Sequence, residues 1–119
     1  MAVFANLYID QGTTFTSTVT VEDANDNLVN ITNYTTRGQI RKAYSSTTAT
    51  NFSTTITDAT NGEFTIELSR TLTGAFSAGR YVYDVEVISP TGVVTRVVEG
   101  QVTVNARVTQ PDDYSPGYG

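Results

Sequence analysis

The stretch Gly79-Arg80-Tyr81-Val82-Tyr83-Asp84-Val85-Glu86-Val87 decides the fold class of this 119-residue chain. Tyr81, Tyr83, Val85 and Val87 fall on alternate positions, with Asp84 and Glu86 between them. A period of two puts the two sets on opposite sides of an extended strand, one side for the core and one for water. The same alternation recurs on either side of this stretch. Phe64, Ile66 and Leu68 alternate with Glu63, Thr65 and Glu67. Phe15, Val19 and Val21 lie opposite Thr14, Thr16, Thr18 and Thr20, and Phe52, Thr54 and Ile56 make a short stripe. Tyr34, Thr36, Gly38 and Ile40 oppose Thr35, Arg37, Gln39 and Arg41. Strands that are apolar on one side only are buried when two sheets face each other.

Turn chemistry divides these runs at short intervals. Asp10-Gln11-Gly12, Asp23-Ala24-Asn25-Asp26-Asn27, Asn61-Gly62 and Ser89-Pro90-Thr91-Gly92 supply positive φ, fixed φ or side-chain bonds to the local backbone. Strands between frequent turns predict a sandwich. The run Val93–Val104 is less regular. Val98, Gly100, Val102 and Val104 share a face, but extending it back brings Arg96 in beside Val94. A bulge between Thr95 and Val98, or a strand crossing from core to edge, would each account for this. Leu72 and Phe76 are spaced as one helical turn places them, and Gly74 and Gly79 limit that helix to a single turn plugging the end of the sandwich. The last ten residues, 110–119, have two prolines, two glycines and no periodicity. The expectation is an all-β sandwich over 1–109 and an irregular tail over 110–119.

Composition narrows the chemistry. The chain has no cysteine, so neither a disulfide framework nor a thiolate nucleophile. It has no histidine, which removes the commonest general base and every histidine triad. Carboxylate pairs remain, Asp84 with Glu86 and Glu63 with Glu67, and both read as solvated strand faces. The net charge of −5 disfavours a nucleic-acid partner. No apolar run is long enough to span a bilayer, and the N-terminus lacks the pattern of a signal peptide. No cofactor is expected, and no catalytic residue.

Two constellations remain as binding candidates. Asp23, Asn25, Asp26 and Asn27 present hard oxygens of the kind calcium takes, and the stretch resembles the Asp-x-Asn-Asp-Asn segment of cadherin repeats. The acidic companion motif of those repeats is missing, and a polar hairpin turn between Val21 and Leu28 explains the same residues, so no metal is expected. Arg37 and Arg41, with Lys42 nearby, form a basic stripe suited to an acidic partner or another copy. Tyr114 and Tyr118 in the tail are further candidate partner contacts. Asn30-Ile31-Thr32, Asn33-Tyr34-Thr35 and Asn51-Phe52-Ser53 match the glycosylation acceptor pattern, as chance allows in a chain rich in Asn and Thr.

The order of motifs carries a resemblance. Leu7-Tyr8-Ile9-Asp10-Gln11-Gly12-Thr13-Thr14-Phe15 is followed by Gln39-Ile40-Arg41, Asn61-Gly62-Glu63-Phe64, Ala78-Gly79-Arg80-Tyr81-Val82-Tyr83-Asp84-Val85 and Glu99-Gly100-Gln101-Val102-Thr103-Val104. Up to about Thr109 the chain resembles small immunoglobulin-like virion proteins of tailed bacteriophages, including those of cyanobacteria, and is similar to the N-terminal domain of phage baseplate upper proteins. The resemblance implies an immunoglobulin-like antiparallel sandwich of about seven to eight strands, with the helical turn near 71–77. The Gly79–Tyr81 step also resembles the tyrosine corner of such folds. The resemblance to phage virion proteins further implies a multi-copy, non-enzymatic virion protein assembled in the host cytoplasm. The favoured form is a capsid decoration (cement) protein, as an oligomer on the major capsid protein. A tail, neck or baseplate part is the alternative, since baseplate upper proteins usually carry further domains. A carbohydrate-binding or adhesion module is the rival of another class, with Tyr8, Tyr34 and Tyr44 as its candidate aromatic platforms.

Overall fold

The alternation over 79–88 becomes the middle of the larger of two sheets. A computed structural model describes residues 2–108. These form β1 (Val3–Phe4), β2 (Leu7–Asp10), β3 (Phe15–Thr20), β4 (Thr35–Arg41), β5 (Thr50–Asn51), β6 (Ser53–Asp58), β7 (Glu63–Leu68), α1 (Arg70–Ala75), β8 (Gly79–Ile88) and β9 (Val94–Asn105), with a 3-10 turn at Ala59–Asn61. The larger sheet runs β1–β9–β8–β4–β5, with β2 also on β9, and the smaller runs β3–β7–β6. The protein is an all-β sandwich. In immunoglobulin lettering the smaller sheet reads B–E–D and the larger G–F–C–C′, with the N-terminal strands added beside G.

The core lies where the two alternating sides meet. Tyr81, Tyr83, Val85 and Val87 of β8 and Phe64, Ile66 and Leu68 of β7 are buried, together with Ile9, Ile40, Phe52, Val102 and Val104. One flank of the sandwich is closed by the chain itself, which leaves the larger sheet at β5 and enters the smaller at β6. Phe52 sits at that step. Its N–H donates to the Gly38 carbonyl at 2.9 Å, and its ring lies 6.3 Å from Phe15 and 6.2 Å from Tyr83. A Cβ on Gly38 would come within 2.9 Å of that ring, so the close approach of Phe52 requires glycine there. Beside it, the Thr36 hydroxyl donates to the Thr54 hydroxyl at 2.8 Å.

The irregularity in β9 is a bulge. Val85 pairs with Val98 and Glu86 with Arg96, leaving Val97 as the extra residue. Val97 is buried and Val98 packs against the core, while Arg96 returns to the outer face.

Two expectations are corrected. The sandwich is not wholly antiparallel, because β1 and β2 run parallel to β9 in one continuous register, Val3 with Val98 through Asp10 with Asn105. They follow the edge of β9 in its own direction, and their interruption at Ala5-Asn6 brings the strand count among the described residues to nine. The helical turn forms, but Leu72 and Phe76 do not share its buried face. α1 ends at Ala75 and Phe76 is already extended, so Leu72 points to solvent while Thr73 is fully buried. The Ser69 hydroxyl caps the helix by accepting from the Leu72 N–H at 3.2 Å, and the Thr73 hydroxyl donates to the Thr13 carbonyl at 2.7 Å.

The tyrosine corner is present. The Tyr81 hydroxyl donates to the Ser77 carbonyl at 2.7 Å, with Phe76 5.0 Å from its ring and the Lys42 ammonium 4.6 Å from the ring centre. Tyr81→Phe is expected to lower stability by about 1 kcal/mol, the net worth of one such bond, as measured by urea unfolding. No change in the urea midpoint would show that the bond contributes nothing.

Candidate functional site

The outer face of β4, β8 and β9 gathers the charged residues that the sequence presents as separate stripes. Strand register sets Arg37 opposite Glu86 and Gln39 opposite Asp84, then Asp84 opposite Glu99 and Glu86 opposite Arg96. The Arg37 Nε donates to Glu86 Oε1 at 2.8 Å. Arg96 reaches Asp84 Oδ2 at 3.4 Å and Glu99 Oε1 at 3.3 Å. Arg41 donates through Nη1 to the Ser46 carbonyl and through Nη2 to Gln39 Oε1 at 3.0 Å, and Gln39 donates to Asn51 Oδ1 at 2.9 Å. Arg37, Gln39, Arg41, Asp84, Glu86 and Glu99 line an open depression of about 570 Å³, and Tyr44 lines it too. Tyr44 is 80% exposed.

Asp84 sits at the centre of this array. Desolvation pushes its carboxyl above the ordinary carboxylate value, and Glu86 and Glu99 add to the rise, while Arg96 and Arg41 oppose it. A folded-state value above the unfolded one means that the folded chain holds the proton more tightly. The penalty is therefore present in full above the folded value and is relieved as pH falls below the ordinary value of 3.8. Asp84→Asn is expected to raise the melting temperature at pH 7, with the difference from wild type shrinking toward pH ~3. A variant less stable at pH 7 would mean that the Arg96 contact outweighs desolvation.

The Asp23 segment folds as a turn closed by its own side chain. Asp23 Oδ1 accepts from the Asn25 N–H at 2.8 Å and from the Asn27 N–H at 3.0 Å, and these donors hold its carboxyl below the ordinary value. The Asp23 N–H donates to the Asn27 carbonyl at 2.9 Å, and Asp26 takes the left-handed conformation with φ 63°. Among the described residues, no group of three or more Asp or Glu side chains is placed to hold a metal ion. The two carboxylate pairs lie on opposite outer faces of the sandwich, Glu63 and Glu67 on the smaller sheet and Asp84 and Glu86 on the larger. They share no cleft. Tyr8 is exposed and Tyr34 packs against the core. Tyr114 and Tyr118 lie outside the described residues. Among the described residues no helix is long and apolar enough to cross a membrane.

Nothing in the linear sequence marks the pairing on this face. Arg37 and Glu86 are 49 positions apart, and only the β4–β8 register brings them together. The alternation of each strand was the available signal; the register between strands was not.

No protein-family model matches this chain, and no curated protein matches it. Among solved structures it is similar to an internalin-like protein of Listeria monocytogenes, at 23% identity and a TM-score of 0.44. That similarity covers 87% of this chain and 28% of the Listeria chain.

Proposed function

We propose that the chain is a non-enzymatic structural protein of a virion, acting as a capsid decoration protein that binds the major capsid shell in many copies. The observation that supports this reading is the β4–β8–β9 face, where arginines and carboxylates are held in a fixed pattern on an open surface. Charges arranged in this way select a complementary patch and set its register. An open depression suits a broad protein surface better than an enclosed small molecule. Many copies on a lattice convert a weak contact into firm attachment. The resemblance to immunoglobulin-like virion proteins supplies the class, and the same face serves equally in a tail, neck or baseplate part.

The test is co-sedimentation of the purified chain with capsids, beside R37E/E86R and E99R variants. Binding of wild type with loss in the E99R variant supports the proposal; no binding to capsids, with six or twelve copies found on tails, moves the chain to the tail or baseplate. The exposed Tyr44, which lines the same depression as Gln39, Asp84 and Glu86, favours a second reading as a carbohydrate-binding module, since an aromatic ring in a depression with amide and carboxylate groups can hold a sugar. Glycan-array binding lost in Tyr44→Ala would establish that reading over the first.

A further inference from the structure

We infer that β3 is a docking edge for β3 of a second copy, joining two smaller sheets into one continuous six-stranded sheet. The edges of the two sheets are not equally protected. β5 is only two residues long, the β1–β2 edge is interrupted at Ala5-Asn6, and β6 carries Asp58 and a break in register between Ile56 and Asp58. Short strands, bulges and charges of this kind are how folded chains prevent edge pairing. β3 has none of them. It is six residues long, Phe15-Thr16-Ser17-Thr18-Val19-Thr20, uncharged, free of proline and in unbroken register with β7. Among the described residues its ladder pairing is with β7 alone.

The main chain of β3 is also aimed correctly. The Val21 N–H donates to the Gly62 carbonyl on the β7 side. Antiparallel alternation then turns Val19, Ser17 and Phe15 toward β7 and leaves Thr16, Thr18 and Thr20 with their N–H and C=O groups directed outward. The core side of this flank is open as well. Phe15, Ser17 and Val19 are only half-buried, whereas Phe64, Ile66 and Leu68 beside them on β7 are at most 1% exposed. The opposite flank is closed by the β5–β6 crossing. Here a depression of about 210 Å³ runs between Ser17–Thr20 and Val3, Leu7 and Val98.

The occupant that fits is a second β3, because the strand is complementary to itself. A two-fold axis through Ser17 sets Thr16 opposite Thr18 of the other copy on the outer face, and Phe15 opposite Val19 on the core face. Thr–Thr and aromatic–β-branched pairs are the favourable cross-strand combinations, and no charge of β3 meets a like charge. The nearest acidic row, Glu63 and Glu67 on β7, would lie three strand spacings from its counterpart, about 14 Å, which exceeds the screening length at physiological salt. This pairing does not depend on where the chain works.

Sedimentation equilibrium of the full chain tests it, together with T16K/T18K and single-cysteine variants on a background that has no cysteine. The double lysine variant faces lysine with lysine across the axis, while each lysine stays on an exposed side beside Glu67 or Thr65. Wild type is expected to dimerise, and the variant to weaken the dimer by roughly tenfold or more while melting like wild type. S17C is expected to form an intermolecular disulfide fastest, because the two Ser17 positions form a close pair with Cα atoms about 4.5 Å apart. T16C, offset from the axis, serves as the slower control. Wild type monomeric into the high micromolar range, a dimer indifferent to the lysines, or S17C linking no faster than T16C would each overturn the inference.

Discussion

Gly100→Val is expected to lower the unfolding free energy by about 3 kcal/mol and to detach the N-terminal strand from the sandwich. The reason lies in the interruption between β1 and β2. At Ala5 the chain turns its carbonyl inward over Gly100, where the Tyr83 hydroxyl donates to it at 2.6 Å. The Ala5 N–H still donates to the Glu99 carbonyl at 2.8 Å, and the Gln101 N–H is satisfied by the Asn6 side chain at 3.1 Å. A Cβ at position 100 would lie 2.1 Å from the Ala5 oxygen and 2.8 Å from its carbonyl carbon. Both are main-chain atoms, so no rotamer change relieves the overlap. Displacing them leaves the buried Tyr83 hydroxyl without its acceptor, and its pKa is already raised to about 12 by burial. Tyr83→Phe removes the hydroxyl alone and is expected to cost about 1 kcal/mol. Urea unfolding gives both figures. Amide exchange separates them, because protection over Leu7–Asp10 is lost in Gly100→Val and kept in Tyr83→Phe. Unchanged protection in Gly100→Val would mean that the crossing is not seated on this glycine.

Much of this fold was legible because alternation is a local signal. β7 and β8 place the expected side chains in the core, and the turns fall where Asp, Asn, Gly and Pro mark them. Other features depend on non-local facts. The bulge at Val97 and a crossing strand predict the same pattern over Val93–Val104, and only the pairing of β8 with β9 separates them. Ile31 is fully buried, with its N–H donating to the Ala59 carbonyl at 2.8 Å, yet it lies outside any strand, between Asn30 and Thr32, and its alternation with Val29 is too short to mark it as core. The charged face was half legible. Arg37 and Arg41 were recognisable as a stripe, and so were Asp84 and Glu86, but their union depends on register. That union alters what the stripe can do. Arg37 meets a partner with Glu86 already attached, so the face offers a mixed pattern instead of a free positive strip.

Phe64→Ala is expected to cost about 4 kcal/mol, a large share of the 5–15 kcal/mol typical of whole-domain stability. Phe64 is fully buried at the middle strand of the smaller sheet, opposite Val19 on β3 and Ile56 on β6. Those two neighbours are only partly buried, so Phe64 is the deepest contact that their strands share. Truncation removes the aromatic volume from a three-stranded layer with little room to collapse into the gap, and the cavity adds to the lost transfer energy. At roughly 4–8 °C per kcal/mol for a domain near this size, the melting temperature should fall by on the order of 20 °C. Phe64→Leu keeps most of the volume and is expected to cost about 1 kcal/mol. Thermal unfolding of the pair measures the cavity term by difference. If Phe64→Ala cost no more than Phe64→Leu, this ring could not be what fills the core beneath the smaller sheet, and the half-open β3 flank would lose the buried neighbour that holds it in place.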